Sequence, residues 1–436
     1  MNDVQGVRVQ ATHVQTKPTL PKEGPGMPIS LRADRPDREA KLFLRILSPF
    51  VGKAVDRDEL ESSRYNWRLA AMTFGRRVPM ASIVERRIDG PNGPINLRIY
   101  TPEGARGLKP GFLWCHGGGF VVGDLDTSEG ICRGIARAAN AIVVAVRYRL
   151  APEHDLYAGR EDFLAALNWV ADHGASVGID PARLAIGGDS AGGNISAAVA
   201  QETLRRGGPK LSSQILVYPA TNLTAEFPSK AENGHGYLLT AEFMDSLESL
   251  IVQGRDLSDP WLSPAFSLDL RGLPPAVIIT AGFDPIRDDG LSYAAQLRDA
   301  GVPVELLHYS GQFHGFLNFD SVIGAARDAL GRIGDSLARI YRGDAPVDCT
   351  VEISDQAPSI FPGNVSRDLL SATFMTNRSI RQINSTTARL LAPEAAKALR
   401  LLLAPWWVLM AVVRRAVTSS LDLLAARQTY RKAAQA

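Results

Sequence analysis

The chain has 436 residues, 45% hydrophobic and 22% charged, which excludes wholesale disorder and collagen-like repetition. Its 48 basic and 46 acidic residues leave a net charge of +2, too little to mark the whole protein as a nucleic-acid binder, and no nucleic-acid partner is expected. Three scattered cysteines, Cys115, Cys132 and Cys349, have neither the pattern of a disulfide framework nor the short spacing of a zinc site. Residues 1–20 lack the apolar core of a secretory signal, and no run reaches the about 18 apolar residues of a spanning helix. The expected location is therefore the cytoplasm.

Residues 1–35, with Pro18, Pro21, Pro25 and Pro28, read as a disordered leader. From Asp37 to about Phe74 the pattern turns helical, with Leu42, Ile46 and Phe50 four apart and Tyr65, Leu69 and Met72 following. A hairpin is predicted next, Ile83–Ile88 and Ile95–Tyr100 about a turn at Gly90-Pro91-Asn92-Gly93. Six short apolar runs then alternate with amphipathic stretches: Phe112–Cys115, Ala141–Val146, Leu184–Ile186, Gln214–Tyr218, Ala276–Thr280 and Val304–His308. Phe163, Leu167 and Val170 mark one helix face, and Ile195, Ala198 and Val199 another. This is the pattern of an α/β fold, a mostly parallel sheet covered by helices on both faces, with reactive groups expected at the carboxyl ends of the strands. Residues 36–75 and about 222–258 interrupt the alternation and read as a helical cap.

The sharpest local signal is Gly188-Asp189-Ser190-Ala191-Gly192, directly after a strand and before a helix. Small neighbours allow the tight turn that lifts a serine hydroxyl clear of a sheet, and the helix behind it offers free N–H groups to a developing oxyanion. His116-Gly117-Gly118-Gly119-Phe120 follows an earlier strand. Three glycines in a row cost backbone entropy, and their use is to let main-chain N–H groups approach a substrate oxygen. A serine nucleophile needs a base and an orienting carboxylate, in the chain order Ser, acid, His. His314, in the loop after Val304–His308, is the candidate base; His308 lies inside that strand and His235 in the cap segment. Asp284, just past Ala276–Thr280, is the candidate acid; Asp288 and Asp289 fall in the next helix's first turn, where its dipole alone explains them.

HGGGF at 116–120, YRLAPEH at 148–154, GDSAGGN at 188–194, DPIRDDG at 284–290 and FHGF at 313–316 together resemble the hormone-sensitive-lipase-like family of bacterial esterases, of the α/β-hydrolase fold. The resemblance spans roughly residues 75 to 340. It implies a serine carboxylesterase or lipase working through an acyl-enzyme, with Ser190 as nucleophile, His314 as base, Asp284 as orienting acid, and no cofactor or metal. It implies an oxyanion hole from Gly118, Gly119 and Ala191, with Gly117 a weaker candidate. It also implies a cap that shapes the pocket through residues such as Tyr237, Leu238 and Phe243, on a small-molecule or lipid ester. Asp124 and Glu153 are expected to brace the active-site loops. The rival readings are a non-catalytic ligand binder on the same fold and a membrane-tethered acyltransferase.

The expected catalytic domain is residues 76–343, and residues 344–436 form an extension beyond it. Leu401–Val413 is apolar but would reach only about 20 Å as a helix, short of a hydrocarbon core of about 30 Å. From Asn377 onward 10 basic residues face only Glu394 and Asp422, with Trp406 and Trp407 in the apolar run. Residues 393–432 are thus expected to touch an anionic membrane surface peripherally, at its inner face, with packing onto the core or an oligomer contact as the alternative. A homodimer is a further expectation.

Overall fold

The structure, a computed structural model, describes residues 31–47, 55–252 and 254–354. Most of the expected leader, Phe50, and the 393–432 stretch with its expected membrane contact lie outside the described residues. Among the described residues no helix is long and apolar enough to cross a membrane.

The hairpin forms as its sequence predicts: β1 (Ser82–Gly90) pairs antiparallel with β2 (Gly93–Thr101), closing at Gly90 opposite Gly93. Gly93 sits at φ +124°, a conformation open to glycine and strained for any residue with a Cβ. The remaining strands are β3 (Lys109–Cys115), β4 (Ile142–Arg147), β5 (Ile179–Asp189), β6 (Leu211–Val217), β7 (Ala276–Phe283), β8 (Val304–Phe313) and β9 (Cys349–Ile353). Their order across the sheet is β1-β2-β4-β3-β5-β6-β7-β8-β9, parallel from β4 to β9. The chain order reverses at β3, flanked by β4 and β5, so the loops leaving β3 and β5 diverge there and leave a crevice.

Alternation along the buried strands divides the core between two faces. From β3, Phe112 and Trp114 join Ile131 and Ile135 of α3 (Glu129–Ala139) and Leu330 and Ile333 of α9 (Gly324–Arg342). Leu113 and Cys115 join Phe163 and Leu167 of α4 (Leu156–His173) and Ile195 and Val199 of α5 (Ala191–Arg205). Each such large side chain contributes about 1.5–3 kcal/mol on leaving water. Strands buried on both faces explain why they read as continuous apolar runs. Asp155 starts α4 by accepting from the N–H groups of Tyr157 and Ala158, and Gly343, at φ +82°, ends α9.

Over the carboxyl ends lie α1 (Arg38–Leu47), α2 (Leu60–Phe74), α6 (Pro228–Asn233) and α7 (Ala241–Ile251); α8 (Arg287–Asp299) follows β7. The helical pattern between Asp37 and Phe74 is thus two helices. The face expected from Tyr65, Leu69 and Met72 is not the buried one: Tyr65 is 55% exposed, and α2 buries Leu60, Ala70, Ala71 and Phe74. Trp67 and Ser63 on this helix turn toward the cavity described below, which rotates Tyr65 outward. β9 comes from residues past Gly343 and extends the sheet beyond β8.

Candidate active site

β5 ends at Asp189, and Ser190 turns sharply into α5 with φ +57° and ψ −120°. A serine there is strained, and the surrounding bonds must impose it. Ser190 N–H donates to Val217 C=O at 2.8 Å, and Asn194 N–H donates to Ser190 C=O at 3.0 Å. A Cβ on Gly188 or on Gly192 would collide with the Cys115 carbonyl, so only glycine lets β5 and α5 close against the end of β3. The Ser190 hydroxyl therefore stands at the crevice mouth.

Asp284, fully buried, follows β7. Its Oδ1 accepts from the Ile286 N–H at 2.9 Å, and its Oδ2 lies 2.8 Å from His314 Nδ1. A carboxylate only accepts, so Nδ1 carries the proton and Nε2 is left as the acceptor. That Nε2 lies 2.9 Å from Ser190 Oγ. The Tyr218 ring, 4.7 Å from the imidazole centre, flanks it. Asp288 and Asp289 do fall in the first turn of α8.

The glycine loop is held from below. His116 stacks on Tyr148 at 4.3 Å and its C=O accepts from the Tyr148 hydroxyl at 2.9 Å; burial lowers the His116 pKa to about 4, so the ring stays neutral. Gly117 N–H donates to Asp189 Oδ1 at 2.9 Å, so its hydrogen is spent within the protein. Gly118 and Gly119 sit at φ +127° and +58°, and Gly118 C=O accepts from the N–H groups of Val121 and Val122. Among the described residues no protein acceptor takes the N–H of Gly118, Gly119 or Ala191. All three residues border one cavity with Ser190 and His314.

That cavity measures about 740 Å³. Its walls are chiefly apolar, with Trp67 from α2, Leu238, and Phe243, Met244, Leu247 and Ile251 from α7. Leu238 and Phe243 therefore lie where they are expected. Tyr237 does not border the cavity; its ring lies 5.1 Å from Phe283. Arg64 on α2 grips both Glu153 oxygens at 2.8 Å and donates to the carbonyls of Val121 and Ala151 at 2.8 and 3.1 Å. Arg68 pairs with Asp124, whose Oδ1 accepts from the N–H groups of Asp126 and Thr127. Among the described residues no group of three His, Cys, Asp or Glu could hold a metal ion.

Sequence reasoning missed several residues that build this site. Arg160, fully buried on α4, donates to Asn194 Oδ1 at 2.5 Å and to Leu262 C=O at 3.0 Å, beneath the Phe120 ring. Asn194 in turn donates to the carbonyls of Ala220 and Leu262. A buried arginine is invisible to an apolar-periodicity reading, although its place among apolar helix positions is a clue. Asn233 and Arg32, taken up below, carry no sequence signal at all.

Comparison with known proteins is consistent with this geometry. Residues 112–318 match the family model for the alpha/beta hydrolase fold. Esterase LipI of Mycobacterium tuberculosis is 45% identical over 258 residues, 58% of this chain and 81% of that protein. Carboxylesterase NlhH of the same organism is 45% identical over 304 residues, 68% of this chain and 94% of the other. The solved esterase of Pyrobaculum calidifontis, 35% identical, superimposes with a TM-score of 0.64 over 69% of this chain and 97% of its own. A thermostable esterase from Pseudomonas putida, 30% identical, gives 0.67 over 71% and 98%. The chain belongs to the hormone-sensitive-lipase-like family of bacterial esterases, within the α/β-hydrolase superfamily, and is a carboxylic ester hydrolase.

Proposed function

We propose that this family member cleaves neutral small-molecule or lipid esters through an acyl-enzyme on Ser190. The observation that carries the reading is the unbroken relay Asp284–His314–Ser190, with bonds of 2.8 and 2.9 Å, opening onto an apolar cavity. Ser190 Oγ attacks the ester carbonyl carbon while His314 Nε2 takes its proton. The carbonyl oxygen, now negative, accepts from the N–H groups of Gly118, Gly119 and Ala191; one such donor is worth about 3–4 kcal/mol in a transition state. His314 returns the proton to the alcohol oxygen as the C–O bond breaks, leaving acyl-Ser190. Water then gives a proton to His314 and attacks the acyl carbon, and the acid leaves with Ser190 restored. Asp284 holds the imidazole in the required tautomer throughout. Nothing in these steps calls for a cofactor.

The cap comprises α1 and α2 with the 222–258 insertion, and Leu238 and Phe243 bound the acyl side. The rival reading as a non-catalytic binder is disfavoured by the complete relay. The 393–432 stretch adds a proposed peripheral membrane contact at the inner face, checked by cosedimentation of full-length and 1–354 chains with anionic vesicles. The mechanism is tested by hydrolysis of p-nitrophenyl esters from acetyl to palmitoyl. Wild type is active, Ser190→Ala falls to background, and a phosphonate ester adds one covalent mass to wild type alone. A fully active Ser190→Ala overturns the mechanism. An acyltransferase instead shows product shifting to a new ester when an alcohol acceptor is added.

A further inference from the structure

The acid loop and the base loop are fastened to one short piece of chain. Residues 31–37 run along the end of β8: His308 Nε2 donates to Leu31 C=O at 3.0 Å, Ala33 N–H to Ser310 C=O at 3.0 Å, and Asp37 N–H to Gly311 C=O at 2.9 Å. Gln312 Nε2 donates to Asp37 Oδ2 at 2.6 Å, two residues before His314. The same arm reaches the acid side through Arg32, whose Nη1 lies 3.2 Å from Glu232 C=O and 3.2 Å from Asn233 Oδ1, with its guanidinium carbon 5.4 Å from the Phe283 ring centre.

Asn233, fully buried at the end of α6, has its amide oriented by three neighbours. Nδ2 donates to Gly282 C=O at 3.2 Å and Asp284 C=O at 3.1 Å, and Oδ1 takes the Arg32 proton. Two donors and one acceptor are satisfied only one way round. Around it α6 is pinned to the acid's own segment, Ser229 Oγ donating to Pro285 C=O at 2.8 Å and Arg287 Nη1 meeting Glu232 Oε2 at 2.9 Å. Yet of the six residues of α6 only Lys230 borders the cavity. The helix thus has more contact with the acid loop than with the substrate space.

We propose that Asn233 is a positioning residue for the acid–base pair, and that Arg32 of the 31–37 arm acts through it. The inference rests on the roles given above to Asp284 and His314. Asn233 fixes the main chain on both sides of Phe283 and so fixes where the Asp284 carboxylate stands. The arm sets the β8 end that carries His314 against the same point. A displacement of about 1 Å between carboxylate and imidazole is enough to cost up to about 100-fold in rate, while leaving the apolar cavity, and hence KM, nearly untouched.

The experiment compares full-length Asn233→Ala, Arg32→Ala, Arg32→Lys and, as control, Asp34→Ala, an exposed neighbour on the arm, with Ser190→Ala alongside. Asn233→Ala is expected to lower kcat about 10- to 100-fold with KM within about twofold. The acid limb of its kcat/KM profile moves to lower pH, because an imidazole that loses its carboxylate partner is harder to protonate. Arg32→Ala, exposed and free of folding consequences for the core, shifts both in the same direction by less. Arg32→Lys, whose ammonium can still reach both acceptors, restores most of the loss. Asp34→Ala matches wild type. The proposal is overturned if Arg32→Ala and a folded Asn233→Ala keep wild-type kcat and an unmoved acid limb, or if the whole loss appears in KM or thermal stability. Should Ser190→Ala remain active, the mechanism itself fails; should it be inactive while the two positioning variants are unaffected, only the present inference falls.

Discussion

Asp189 sits beside the nucleophile, buried, with Gly117 N–H on its Oδ1 at 2.9 Å. Burial outweighs that bond and pushes its pKa up to about 6, against 3.8 for an unburied aspartate. Between about pH 4 and 6 the unfolded chain has lost this proton while the folded one keeps it. The folded state then binds more protons, so this residue's contribution to stability falls as pH rises through that window and is level above it. The two values differ by about 2 pH units, which sets an upper figure of about 3 kcal/mol. Asp189→Asn keeps a carbonyl oxygen for Gly117 and has no charge to bury. Urea midpoints measured from pH 4.5 to 8 should bring the variant from near wild type to well above it at pH 8. The difference between the two proteins cancels carboxylates elsewhere that act in the opposite direction. A difference that stays flat across this range, or a variant that loses ground as pH rises, refutes the reasoning.

Gly118→Ala should cut kcat by about 100-fold or more, because φ +127° is hostile to alanine and the new Cβ would strike the Val122 carbonyl; steady-state kinetics on p-nitrophenyl butyrate checks it. Phe243→Ala should widen the α7 wall and move the p-nitrophenyl chain-length optimum toward longer acyl groups, while activity on acetate changes little. Arg64→Ala leaves the Val121 and Ala151 carbonyls without this donor. Such orphaning costs about 1–3 kcal/mol per group, whereas the ion pair to half-exposed Glu153 adds at most about 1 kcal/mol. A melting temperature several degrees lower and barely sensitive to salt is expected; a loss that vanishes in 1 M salt would assign the effect to the ion pair instead.

The sheet was legible because its strands are buried on both faces and read as apolar runs. Their ends were not. β5 continues through Gly187, Gly188 and Asp189, and β8 through Tyr309 to Phe313, where glycine and polar residues break an apolar run just as the strand reaches the site. β9, with Thr350 and Glu352 between Cys349, Val351 and Ile353, alternates at an edge and gave no run. Ser190, Asp284 and His314 could be singled out because each follows a strand end in an order the chemistry demands. Tyr237 was misjudged because sequence separates it from Leu238 by one residue, while the fold turns it onto Phe283. Asn233 and Arg32 are 201 positions apart, and no local pattern joins residues that only a folded chain brings together.

The pairing of β9 has a consequence for everything that follows it. It lies parallel to β8, with Glu352 beside His308 and Ile353 beside Tyr309. An antiparallel hairpin from β8 would have delivered the chain to the far rim. A parallel strand after α9 delivers it instead at the rim where β8 runs on toward His314. Residues 355–436 therefore depart from the side of the molecule on which the cavity opens. Any surface that this extension holds on to would face the catalytic doorway, and ester drawn from that surface would have a short path to Ser190.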